Sequence, residues 1–284
     1  MDRKTFLQFS AATCAAGLSN ATAQGSALRI GLTPVILADQ AAFLTRWSDY
    51  LSQRLGNPVV FVARESYQGV LDLLLSAQLE AAWICGYPYV RNISQLQLLA
   101  VPLYEGRASY QAYLIGARQS NPRLRGWADL KNKVLAYSDP LSNSGWLVAQ
   151  VQLFAAGLNP RDLKKSFFAH SHRNVAEAVA AGLAHAGAID GYVWETMRQQ
   201  GMTAVEQTEV VWKSDPFGFP PLVVRRNARH PKTDLLQSTL LGMQREVDGQ
   251  VLLRALNLTG FELGNPSLFA SIASMAASTQ LRAI

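Results

Sequence analysis

Apolar and polar positions along this chain switch repeatedly between a strand period and a helix period. Leu28 to Thr33 reads as a short buried strand, and Phe43, Leu44, Trp47, Leu51 and Leu55 then recur at helical spacing up to the breaker Gly56-Asn57-Pro58. Val59 to Ala63 is a second strand, so the first unit is strand, helix, strand, an order that favours a parallel sheet. Ser66 to Gly69 opens another helix with Val70, Leu71, Leu74 and Leu75 on one face. Ala81 to Gly86 is a third strand ending in a Gly-Tyr-Pro turn, and Leu98 to Leu103 is a further apolar run.

The alternation resumes after Tyr110 to Gly116, which reads as a strand joining two regions. Trp127 to Leu130 is a helical turn, Lys133 to Tyr137 a buried strand, and Trp146 to Phe154 an amphipathic helix. Ser166 to Ala169 is a strand, Val175 and Val179 mark one face of a helix, and Ala186 to Asp190 is buried strand again. Val210 to Trp212 leads into the proline-rich crossing Asp215 to Pro221, Leu222 to Arg226 returns as a strand, and the chain from Thr233 reads as helical.

Strand, helix and loop thus alternate over 28–104 and again over 133–212. The pattern predicts an α/β protein of two lobes, the second inserted within the first, with the lobes as 24–108 plus 218–284 and 109–217. A ligand is expected in the cleft at the carboxyl ends of the strands. Tyr110 to Gly116 and Leu222 to Arg226 are the candidate hinge strands.

The 284 residues, 49% hydrophobic and 16% charged, suit a packed globular chain rather than a disordered one. Asp2-Arg3-Lys4, a mildly apolar stretch to Leu18 and the small-x-small Ala21-Thr22-Ala23 read as an export signal over residues 1–23, which predicts a periplasmic protein. Cys14 falls inside that signal in a poor lipoprotein context, so Cys85 is left single in the mature chain and a free, monomeric protein is expected. The formal charge of +6 is scattered, with no basic helix or aromatic-interleaved patch; it suits a small anion and argues against nucleic acid.

The most informative stretch is Ser138-Asp139-Pro140-Leu141-Ser142-Asn143-Ser144-Gly145-Trp146, between a buried strand and a helix. Pro140 stops the strand, and Ser142, Asn143 and Ser144 offer capping side chains in succession. A helix start carries unpaired N–H groups and roughly half a positive charge, so small hydroxyl and amide residues there form either an ordinary cap or an anion seat.

Asp129 to Lys133, the run from Ser138 to Gly145, the histidine 28 residues beyond Ser144 and Ala186 to Asp190 together resemble the PhnD family of phosphate, phosphite and phosphonate binding proteins of ABC importers. The resemblance spans residues 27–275. It implies a type II periplasmic binding protein that closes on a small oxyanion and hands it to a permease and ATPase, with no enzymatic activity and no cofactor. It places the family's Ser-Thr-Ser triplet on Ser142, Asn143 and Ser144, its histidine on His172, and its two cleft tyrosines on Tyr67 and Tyr110. Asn143 stands where the family has threonine. Tyr192 and Pro220 stand where aminoalkylphosphonate binders carry acids. Cys85 stands where glycine is common. Some members of the wider group look like arsenite sensors paired with a histidine kinase, in which a cleft cysteine binds the metalloid; this is the rival role.

Cys85 as a ligand group competes with Cys85 as a small buried hydrophobe. Asp190 ends a strand facing the expected cleft, for ligand contact or for hydrogen bonding near the hinge. Tyr87 and Tyr89 line the cleft or cover the strand end. As an enzyme, the best constellation is Cys85 as nucleophile, His172 as base and Asp190 as orienter, but no local catalytic signature accompanies it, and no acidic or cysteine cluster joins His170 and His172 as a metal site.

Overall fold

The computed structural model describes residues 26–34, 41–120, 122–227 and 232–282; the expected export signal, Cys14 included, lies outside them. From its first strand the chain runs β1 (Leu28–Leu32), α1 (Ala41–Leu55), β2 (Val59–Ala63), α2 (Tyr67–Leu75), β3 (Ala81–Trp83), α3 (Gly86–Arg91) and β4 (Leu96–Leu103). It crosses through β5 (Ser109–Tyr110) into β6 (Ala112–Ala117), β7 (Val134–Tyr137), α4 (Val148–Ala155), β8 (Lys165–Phe168) and α5 (His172–Ala180). β9 (Ala186–Asp190), α6 (Gly191–Gln199), α7 (Thr203–Glu206) and β10 (Thr208–Lys213) complete this part. The return passes through β11 (Phe217–Gly218) to β12 (Leu222–Arg225), α8 (Thr233–Gly242), α9 (Val247–Ala255), β13 (Gly260–Glu262) and α10 (Ala270–Arg282).

Two mixed sheets result. One has the order β13-β4-β12-β3-β1-β2 and the other β10-β6-β9-β7-β8. The strand-helix-strand units are parallel as expected, β1 lying between β2 and β3 and β7 between β8 and β9. The remaining pairings are antiparallel: β12 between β3 and β4, β13 on β4, β6 on β9 and β10 on β6. Among the described residues no helix is long and apolar enough to cross a membrane.

The expected hinge strands turn out to be interior strands. β6 and β12 each lie between two neighbours in their own sheets, which is why nearly every residue of both is buried. The crossing itself is the two-stranded ladder β5–β11, in which Tyr110 faces Phe217 and Ser109 faces Gly218. The strand expected over Ala81 to Gly86 stops at Trp83, and a helix follows at once because Pro88 falls in its first turn, where a missing N–H breaks no helical bond. The C-terminal stretch is helical apart from β13, whose Phe261 is buried. Trp47, Trp83 and Phe261 meet edge to face through this core. The Trp83 indole N–H donates to Pro220 O at 2.8 Å, which ties the strand leading into the site to the returning crossing.

Candidate ligand site between the two sheets

β7 ends at Tyr137, and the chain folds back so tightly that Ser138 N–H donates to Gly145 O at 3.2 Å. A Cβ on Gly145 would lie 1.9 Å from Ser138 Oγ, so only glycine permits this turn. Ser142 is the cap, its Oγ accepting from Gly145 N–H at 3.0 Å. Asn143–Leu147 then form a π-helical turn before α4, rather than the expected α-helix from Trp146.

Five helical segments start at members of one buried cluster. Tyr67 is the first residue of α2, Cys85 caps α3, Ser142 caps the π turn, His172 is the first residue of α5, and Asp190 caps α6. These starts follow the carboxyl ends of β3, β7 and β9 and the loops after β2 and β8, so several dipoles place their positive ends around one volume. Ser171 caps α5 just ahead of His172, and His170 takes a positive φ of 68° to make the turn.

The cluster is joined across the sheets. Tyr67 Oη lies 3.3 Å from His172 Nε2, and Ser142 Oγ lies 3.5 Å from the same nitrogen. His172 Nδ1 accepts the backbone N–H of Asp190 at 3.1 Å, so the ring proton sits on Nε2 and points at the two hydroxyls. Asn143 donates its backbone N–H to Cys85 Sγ at 3.3 Å and its side-chain N–H to Tyr110 Oη at 3.0 Å. Tyr67, Cys85, Tyr110, Ser142, Asn143, Ser144, His172 and Asp190 are all buried, and Ser138 Oγ, Asn143 Oδ1 and Ser144 Oγ have no hydrogen-bond partner. Unpaired polar atoms this deep are costly, and a polar ligand is one way to satisfy them.

Burial dominates the electrostatics. It pushes the Cys85 thiol up to about 11 and the Asp190 carboxyl up to about 8, lowers the His172 imidazole to about 3, and raises both the Tyr67 and Tyr110 phenols well above their usual range. Near pH 7 these side chains are therefore neutral hydrogen-bond donors. No lysine or arginine is buried among the described residues. Ser66 and Ser171, the caps immediately before Tyr67 and His172, line an open cleft of about 920 Å³ with Arg64, Glu65, His170 and Asn174.

All eight residues singled out from the sequence lie in this cluster. Two contributors were not singled out. Asp139 accepts from Leu141 N–H at 2.7 Å and, across the sheets, from Tyr67 N–H at 3.1 Å. Trp146 stacks on Tyr87 at 6.0 Å between ring centroids. The hydrogen bonds do not form a catalytic relay, because His172 takes the Asp190 backbone N–H while the Asp190 carboxyl oxygen Oδ1 accepts from Tyr192 and Val193 N–H at the start of α6. Tyr192 donates its hydroxyl to Leu256 O and Pro220 is buried, so neither offers a counter-charge to an amine.

Two lobes enclosing a polar, uncharged site define the class of two-lobed binding proteins with the type II periplasmic fold. Residues 30–269 match the family described as the ABC transporter phosphonate periplasmic substrate-binding protein, and the chain belongs to that family. A phosphate-import protein, PhnD, of Mycolicibacterium smegmatis is 31% identical over 178 residues, covering 58% of this chain and 55% of its own length. The match thus spans little more than half of that relative. Two solved structures share the fold. The binding component of an ABC phosphonate transporter from Pseudomonas aeruginosa has a TM-score of 0.80 at 19% identity, over 89% of this chain and 86% of its own. PhnD1 from Prochlorococcus marinus in complex with methylphosphonate has a TM-score of 0.80 at 19% identity, over 89% of this chain and 98% of its own.

Proposed function

We propose that this chain is the periplasmic solute-binding component of an ABC importer and captures a small tetrahedral oxyanion of the phosphate, phosphite or phosphonate type. The observation that carries the reading is the convergence of five helix starts on a sealed cluster of phenol, hydroxyl and imidazole donors. Family membership supports it. In this reading 24–108 with 218–284 forms one lobe and 109–217 the other, and the β5–β11 ladder is the pivot. The ligand shifts an equilibrium between open and closed forms, because only the closed form brings Tyr67 to the same guest as Tyr110, Ser142, Ser144 and His172. The closed form then presents both outer faces to a permease. In this reading the site binds and does not transform, because His172 Nε2 carries its proton toward Ser142 and Tyr67 and so acts as a donor rather than as a base.

Thermal shift against phosphate, phosphite, methylphosphonate, sulfate and arsenite tests this. A phosphorus oxyanion at a hundredfold excess over its Kd adds about 2.7 kcal/mol, which for a chain of this length raises Tm by about 5 °C or more. His172→Ala should lose that shift. Stabilisation by arsenite alone, lost in Cys85→Ala, would support the sensor role and sink the transport reading. The protonated state of the Cys85 thiol argues against that outcome, since arsenic binds the thiolate.

A further inference from the structure

By the family resemblance Asn143 takes the place of a threonine, and two of its three N–H donors are bonded within the protein. Its backbone N–H goes to Cys85 and its side-chain N–H to Tyr110. Its one side-chain acceptor, Oδ1, is on a fully buried residue and has no hydrogen-bond partner. An amide oxygen only accepts. A guest that brings a proton to it relieves the unpaired state, whereas one that brings only lone pairs leaves it unpaired and adds repulsion.

The charge of the site points the same way. No buried lysine or arginine stands among the described residues, and His172 keeps a single ring proton, on Nε2, because Nδ1 is an acceptor. A doubly charged guest would be enclosed with no counter-cation, held only by neutral donors and helix starts. The titratable groups around the cluster are Tyr67 on α2, Cys85 at α3, Tyr110 on β5, Asp139 before the π turn, His172 on α5 and Asp190 at α6; Arg64, Glu65 and His170 stand in the open cleft.

We propose that the site selects the singly charged form of a phosphorus oxyanion, whose P–OH donates to Asn143 Oδ1 while its bare oxygens accept from Tyr67, Tyr110, Ser142, Ser144 and His172. The inference rests on the oxyanion-binding reading and adds the ionisation state of the substrate to it. Asn143 is then the residue that reads the proton. A threonine hydroxyl in its place can turn to donate or to accept, and so tolerates both forms.

Isothermal titration of the full chain with phosphite and with methylphosphonate, from about pH 5.5 to about 9, tests the proposal, with sulfate as the anion that has no proton to give. The expected affinity is level below each ligand's second ionisation and falls about tenfold per pH unit above it. The midpoint moves between the two ligands as their own ionisations do. Sulfate binds at least about a hundredfold more weakly than methylphosphonate at the acid end. In Asn143→Thr the alkaline decline becomes shallower for both phosphorus ligands. A level wild-type profile through both ionisations, one midpoint common to both ligands, or an unchanged slope in the variant would overturn the selection while leaving the oxyanion-binding reading intact. No binding of any phosphorus anion at any pH would overturn that reading itself, and this inference with it.

Discussion

His172 and Asp190 share one backbone amide, and their titrations oppose each other. Burial holds the imidazole neutral down to about 3 against an ordinary value of 6.5, so an unfolded chain takes up a proton that the folded one refuses. Its contribution to stability is intact above pH 6.5 and is lost as pH falls toward 3. Asp190 is raised from 3.8 to about 8, so the folded chain keeps a proton that the unfolded one releases. Its contribution is full below pH 3.8 and is lost as pH rises to about 8. Melting curves recorded against pH should therefore lose their acid limb in His172→Gln and their decline toward pH 8 in Asp190→Asn, which keeps the helix cap; superimposable curves for wild type and variants would refute this account. The hydroxyls and the imidazole were legible in the sequence because capping residues and the family motif mark their own positions. Asp139 was not, because its partner Tyr67 is 72 residues away and the bond exists only when the two sheets face each other.

At the scale of elements, α2 has no acidic residue in its own first turn, and Asp139 from the opposite side supplies one. That makes the turn after β7 a latch on the start of α2 that need not touch a ligand. Asp139→Ala removes an acceptor worth about 1.5–3 kcal/mol to a backbone N–H, so affinity should fall roughly ten- to a hundredfold, by the same factor for every ligand. Titration calorimetry with two chemically different phosphorus anions checks this, and a ligand-dependent loss would place Asp139 on the ligand instead. The strand-helix-strand units were readable from periodicity, as α1, α2 and the parallel strands show. α3 and β13 were hidden for opposite reasons. The Gly-Tyr-Pro start of α3 carries the marks of a turn, and β13 is a three-residue edge strand inside a helical stretch, specified only by its pairing with β4.

Across the whole molecule, the two-lobed plan and the return crossing at Asp215 to Pro221 were visible in the sequence, whereas the interior place of β6 and β12 was not. Strands β6 and β12 read as linkers by their position in the chain, but their near-continuous burial made them sheet interior, and the crossing fell to the two-residue ladder β5–β11. The cluster residues themselves are at most 3% exposed. A guest walled in on every side cannot escape by breaking its own bonds; it must wait for the walls to part. Residence time then belongs to the container, and chemically unlike guests should leave at one common rate even where their affinities differ severalfold. Stopped-flow chase of phosphite and of methylphosphonate reads this directly, and departure rates that track affinity one for one would mean that the enclosure leaks.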